Sequence, residues 1–173
     1  ESHSASFALL AYVSAWLKCH HPAAFYVGLL NSQPMGFYSP SQLIQDARRH
    51  HIMVLPVDVN HSSWDHQILS SADQQQPPVR LGLRLIKGLS EAAGQRIHTA
   101  QRQRAFANVA DLRQRACLDR GDMEALAAAD ALSGISGNRY QSHWQTMALQ
   151  AHRPLLPHDS AAQRSHDDAA VTT

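Results

Sequence analysis

The chain lacks any hydrophobic run approaching the ~20 residues that a bilayer span needs, which excludes a helical membrane protein from the reading. Cysteine is scarce. Cys19 and Cys117 lie far apart and form no CxxC pair, and no secretory leader is visible, so the sequence reads as a reduced, cytoplasmic protein. A dominant charge sign is missing too: 15 Lys and Arg stand against 14 Asp and Glu, for a net charge of +1. By itself that balance argues neither for nor against nucleic acid. Acids are almost absent at the start, where Glu1 is the only one before Asp46. Nor is there an initiating methionine, and a periodic helix begins within a few residues, as expected of a segment cut from a longer chain.

What is present suffices for a core: 173 residues at 44% hydrophobic content, the size of one or two small domains. Residues 4–19 read as a helix with two apolar stripes, Phe7, Leu10, Ala11 and Leu17 on one and Leu9, Tyr12, Val13 and Trp16 on the other. A helix apolar on nearly all sides is expected to be buried. Pro22 suits the first turn of a second helix carrying Phe25, Val27, Leu29 and Leu30. Ser39-Pro40 repeats the device as cap and first helical residue, with Leu43, Ile44 and Ala47 facing inward. Alternating Leu55, Val57 and Val59 predict a strand over 54–60, and 79–83 predicts a second, the two forming a small antiparallel ribbon. Ser70, Ser71 and the Gln74-to-Pro78 run between them have the composition of an exposed loop. Helices are predicted again over 90–103, 108–116, 119–131 and 138–149, with Asp119 and Asp122 as a capping pair. From 150 to 173 the chain is rich in His, Asp, Ser and Ala and reads as a disordered tail. The fold class is therefore mainly α. Residues 1–78 form one segment with a short β element, and 79–149 form a second helical region.

Charge is uneven along this layout. Arg80, Arg84, Lys87, Arg96, Arg102 and Arg104 face a single acid, Glu91, within 79–104, whereas the remainder holds nine basic and thirteen acidic residues. Such a patch is what phosphate binding needs. Inside it, Lys87-Gly88-Leu89-Ser90 reads as a tight turn leading into a helix. Backbone N–H groups at a helix start, with the helix dipole, favour an anion, and glycine permits both positive φ and close approach of a phosphodiester. Arg84, Lys87 and Arg96 would add sequence-independent charge. The candidate DNA-binding set is thus Arg84, Lys87, Gly88, Leu89, Ser90 and Arg96. A plain helix–helix connection on a solvated basic face has the same local sequence, and Leu89, Ala93 and Ile97 are expected in the core either way.

Longer stretches carry a resemblance. Ser2-His3-Ser4-Ala5-Ser6-Phe7-Ala8-Leu9-Leu10-Ala11-Tyr12, then Trp16-Leu17-Lys18 and His21-Pro22-Ala23-Ala24-Phe25, resemble the C-terminal fingers of bacterial C-family DNA polymerases, the family of the polymerase III alpha subunit. Asn31 to Pro40, Asp46-Ala47-Arg48-Arg49-His50 and Pro56-Val57-Asp58-Val59-Asn60 are more similar to its error-prone, damage-inducible branch. Arg80-Leu81-Gly82-Leu83-Arg84, the hairpin, Phe106, Asp111-Leu112, Leu118-Asp119-Arg120 and Asn138-Arg139 follow in the same order, so the likeness is collinear over 1–149. Relatives often have glycine where His51 stands and where Ser90 stands, and Gly121 falls inside a predicted helix.

The resemblance implies a fingers segment followed by a tandem helix-hairpin-helix region that grips duplex or primer–template DNA. The implied parent enzyme is a nucleotidyltransferase acting in repair synthesis and damage-induced mutagenesis, alongside mutagenesis-complex proteins. Ser2 and His3 would then lie near the nascent base pair. Nucleotidyl transfer uses two metal ions held by neighbouring carboxylates. No two aspartates here are spaced i, i+2, so the Mg2+ of the parent is expected on a palm outside this chain, and no catalytic residue and no cofactor are expected within it. Cys19-His20-His21 and His50-His51 lack the four suitably spaced ligands of a structural zinc site, and no metal is expected. Two alternatives stand beside the polymerase reading. One is a protein-interaction module of the mutagenesis complex. The other is a helix-hairpin-helix DNA glycosylase with Asp111 in catalysis.

Overall fold

A computed structural model describes residues 2–70 and 76–136. Its first helix, α1 (Ser2–His20), leads into α2 (Pro22–Asn31) and α3 (Pro40–Arg49). Both of the latter begin at the predicted prolines. At α3 the Ser39 side chain accepts from the Gln42 N–H while the Gln42 side chain returns to the Ser39 N–H, a full capping box. The turn after α3 places His51 at φ 60, the left-handed conformation that a glycine would take more readily.

The two predicted strands form, but shorter and in another arrangement. β1 (Val54–Leu55) and β3 (Val79–Arg80) pair in parallel, Val54 opposite Val79. A strand missed in the sequence, β2 (Gln67–Ile68), lies antiparallel on the other side of β3, giving the order β1-β3-β2. The expected antiparallel ribbon of 54–60 with 79–83 is thus corrected to a mixed three-stranded sheet. Pro56 lacks the N–H needed to extend β1. The chain then crosses to β2 before returning as β3, which leaves β1 and β3 running the same way. β2 escaped notice because Gln67 and Ile68 are both exposed and show no alternation. Residues 71–75, inside the expected loop, lie outside the described part.

After β3 a single 3-10 turn, Leu83–Leu85, precedes α4 (Glu91–Gln103), α5 (Val109–Arg115), α6 (Arg120–Ala128) and the short α7 (Ser133–Ser136). One apolar cluster joins Leu30 and Leu43 to Val59, Leu83, Ile97, Leu112, Leu126 and Leu132. The boundary expected at 78/79 falls at the first residue of the central strand, and this cluster includes residues from both sides of it. Two asparagines tie distant backbone segments. Asn31 exchanges a pair of hydrogen bonds with the His66 backbone, 2.9 and 3.0 Å, and Asn60 does the same with Phe106, 2.7 and 3.1 Å. The helix predicted at 138–149 and the tail from 150 lie outside the described residues.

The burial expected for α1 is corrected. Phe7, Leu9, Leu10, Tyr12, Val13 and Trp16 are all exposed, Tyr12 to 68%. Among the described residues α1 packs on α2, and Lys18 reaches Asp46 of α3 at 3.0 Å. Hydrophobic periodicity reports what a helix would bury and is silent on which partner covers it.

Candidate nucleic-acid interface

The predicted hairpin is built as the sequence suggested. The Ile86 carbonyl accepts from the Leu89 N–H at 3.3 Å, Gly88 takes φ 90, and Leu89 drops into the core. A Cβ at Gly88 would meet only the Ala125 side chain at 3.8 Å, so space is available and backbone conformation is what calls for glycine. Ser90, standing where relatives often have glycine, is the N-cap of α4: its hydroxyl accepts from the Ala93 N–H at 3.2 Å. The N–H groups of Glu91 and Ala92 have no acceptor among the described residues. Lys87 and Gly88 are exposed at the tip.

A second hairpin of the same form follows. Cys117 takes φ 50, Leu118 is buried, and Asp119 caps α6 by accepting from the Asp122 N–H at 2.8 Å. Asp122 answers from its side chain to the Asp119 N–H, completing the capping box that the sequence had suggested.

The cations of the basic patch are not equivalent. Arg84 donates to the Asp65 carboxylate at 2.7 Å and to the Gln33 carbonyl at 3.4 Å, away from the tip. Arg80 bonds the Pro56 carbonyl, and Arg104 pairs with Asp111. Arg96 reaches from α4 to the carbonyls of Ala116 and Cys117 at the end of α5, at 2.9 and 3.4 Å, and to Asp122. Arg115 of α5 makes the reciprocal move, donating to the Ala100 and Arg104 carbonyls at the end of α4 while lying over the Phe106 ring. Each helix thus donates an arginine to carbonyls at the other's C-terminal end. Composition alone could not assign these roles, and Arg115 was passed over entirely. Of the six cations, only Lys87 and Arg102 have no hydrogen bond or ion pair among the described residues.

The structure therefore brings Lys87, Gly88, Leu89 and Ser90 together in one turn, with Leu89 inside it, and turns Arg84 and Arg96 elsewhere. Ser2 and His3 open α1, where the His3 ring meets Phe7 edge-on with centroids 5.2 Å apart.

Other ionisable groups are held by their neighbours. Asp111 accepts from the Ala107 N–H and pairs with Arg115 and Arg104, which together hold its carboxyl below the usual range against a smaller opposing effect of burial. The Tyr26 hydroxyl, raised by burial and by Asp46, donates to Asp46 at 2.5 Å. Asp46 is lowered by that bond and by Lys18. Among the described residues no group of three His, Cys, Asp or Glu side chains could hold a metal ion. No helix among them is long and apolar enough to cross a membrane.

Residues 51–142, just over half of the chain, match the family described as the helix-hairpin-helix motif. The chain is also similar to proteins named error-prone DNA polymerase. It is 54% identical to that of Methylococcus capsulatus, over 94% of this chain and 17% of the relative. It is 57% identical to that of Saccharophagus degradans, over 90% and 16%, and to that of Teredinibacter turnerae, over 90% and 15%. The chain thus spans about one-sixth of the length of these relatives.

Proposed function

The chain belongs to the helix-hairpin-helix family, and on that premise we propose that it is the DNA-gripping segment of an error-prone DNA polymerase, holding duplex backbone at the Gly88 hairpin. The observation that carries this is the tip itself. Gly88 at φ 90 exposes backbone next to two N–H groups lacking described acceptors, with Lys87, which has no partner among the described residues, beside them. A phosphate oxygen there meets backbone donors, the positive end of α4 and one cation, none of which reads base sequence. A grip of this kind suits an enzyme that must hold any primer–template in repair synthesis and damage-induced mutagenesis. The bacterial cytoplasm is the compartment in which such an enzyme works.

Polymerisation is assigned to parts of such an enzyme that this segment does not contain. In this reading the Mg2+ pair is held elsewhere, because several described aspartates are already engaged. Asp46 is held by Tyr26 and Lys18, Asp58 by the Asn60 N–H and His61, and Asp111 by Ala107, Arg104 and Arg115. Asp119 and Asp122 are spent on each other's backbone. The same engagement of Asp111 weighs against a glycosylase role. Within this reading the exposed apolar surface of α1 joins the segment to the rest of the enzyme, with Ser2 and His3 toward the nascent pair. Replacing His3 by alanine in a full-length relative should then lower nucleotide incorporation.

The test is a titration of labelled primer–template duplex at two salt concentrations. Lys87→Glu should weaken binding about tenfold and reduce the slope of log affinity against log salt by about one. Binding that is flat with salt would favour a protein-docking face over a phosphate grip.

A further inference from the structure

Arg84 and Leu85, which lead into the hairpin, also line a cleft of about 350 Å³ between the end of α2, the start of α3 and the 62–66 segment. That volume is at the small end of ligand sites and suits one ring-sized group with its sugar. Pro34, Pro40 and Trp64 give it flat apolar walls. Trp64 is fixed from behind: a Cβ at Gly94 of α4 would sit 2.3 Å from its ring, so the absent side chain is what admits the indole.

The polar atoms are equally fixed. His66 is 4% exposed, and its backbone is clamped by Asn31. Its Nδ1 accepts from the Gly82 N–H at 3.1 Å, which leaves Nε2 as the protonated nitrogen of the neutral ring. No described group accepts from Nε2. Burial, assisted by Arg84, pushes the His66 pKa down to about 4, so the ring stays a neutral donor at ordinary pH. Arg84 lends little net charge here, because Asp65 neutralises it at 2.7 Å. A cleft with flat walls, one fixed neutral donor and no net charge favours a neutral heteroaromatic ring bearing an acceptor over a free phosphate.

We propose that this cleft receives a single unpaired nucleobase of the bound DNA, stacked among Trp64, Pro34 and Pro40 with an acceptor on His66 Nε2. The proposal rests on the DNA-binding reading for its biological ligand but is tested without it. Bases splayed from a strand stack on aromatic side chains in this way in other nucleic-acid proteins.

The experiment follows Trp64 fluorescence in the full chain carrying Trp16→Phe and Trp144→Phe, titrated with 2′-deoxyadenosine and, separately, 2-deoxyribose 5-phosphate. Saturable quenching by the nucleoside but not by the sugar phosphate is expected. His66→Asn keeps an acceptor for Gly82 and removes the Nε2 donor, and should weaken the nucleoside about tenfold. Leu85→Phe, which fills the cleft from another wall, should weaken it similarly. Lys87→Glu separates the two readings, because it acts on duplex affinity through the hairpin while nucleoside quenching persists. Absence of saturable quenching, equal quenching by the sugar phosphate, or quenching undiminished in Leu85→Phe overturns the proposal, whether or not duplex binds.

Discussion

The hairpins at Gly88 and Cys117 share a left-handed turn residue and differ in charge. In each, a left-handed residue is followed by a buried leucine and then by a side-chain cap at a helix start: Gly88, Leu89, Ser90 in one and Cys117, Leu118, Asp119 in the other. The first has Lys87 before the turn and a neutral hydroxyl as cap. The second has Ala116 before the turn and two carboxylates folded over the helix start. Geometry alone would let both meet a phosphate. The carboxylates of the second already occupy the positive end of α6 and would repel an anion, so that hairpin is suited to packing. A hairpin is therefore a scaffold for anion binding, and its cap residue decides whether the site is open.

The largest expected difference lies in what braces each turn. Arg96 satisfies the Ala116 and Cys117 carbonyls of the second hairpin, whereas the first depends on its own turn and the buried Leu89. Arg96→Ala should cost about 2 kcal/mol in urea unfolding, since it strands the carbonyl of buried Ala116 that a charged donor had satisfied. Hydrogen exchange should then quicken around 113–119 more than around 86–90. Equal quickening at both would mean that Arg96 braces the whole domain and not one hairpin.

Next comes the left-handed residue. Gly88→Ala should destabilise by roughly 1–2 kcal/mol from conformation alone, because the Cβ would have room. Cys117→Gly should be neutral or stabilise by up to about 1 kcal/mol, since it relieves the φ of 50. Thermal or urea unfolding of the two variants checks the opposite signs.

These residues also show how far the sequence could be read. Proline, serine and aspartate announced α2, α3 and α6 because capping is local chemistry, settled within four residues. The Gly88 hairpin was legible for the same reason, whereas His51 stood out only against relatives that often have glycine there. The exposure of α1, the strand at Gln67 and the roles of Arg84, Arg96 and Arg115 depend on which distant backbone lies alongside. Arg96 reaches Ala116, twenty residues away, and Arg84 reaches Gln33, fifty-one away. A basic run in the sequence records how many cations there are, whereas tertiary contacts decide how many remain free. Among the described residues that count fell from six to two, Lys87 and Arg102.

The charge comparison itself can be sharpened at the second cap. Asp119→Ser keeps a capping oxygen and removes a negative charge, making that turn resemble the first. Duplex affinity should rise about two- to threefold at low salt, and the gain should fade as salt screens it. No gain would mean that the second hairpin faces away from DNA, whatever its charge.

The smallest effect concerns acid. Asp111 lies in the first turn of α5, ahead of the second hairpin, and its carboxyl is held below the usual range foremost by the Ala107 N–H. Its folded pKa is depressed, so the unfolded chain takes up the proton first as pH falls. The stability it contributes is full above about pH 4, the unfolded value, and is lost as pH drops toward the lower folded value. Asp111→Asn removes that titration, so its stability should fall less steeply below pH 4 than that of the wild type. The first hairpin has no such carboxylate in its turn: Glu91, in the first turn of α4, makes no ion pair among the described residues. Acid should therefore loosen the 105–119 region before 86–90, a difference that hydrogen exchange across the same pH series would register. Simultaneous loosening of both would mean that the two hairpins unfold as one unit, and that their difference is confined to the charge they present.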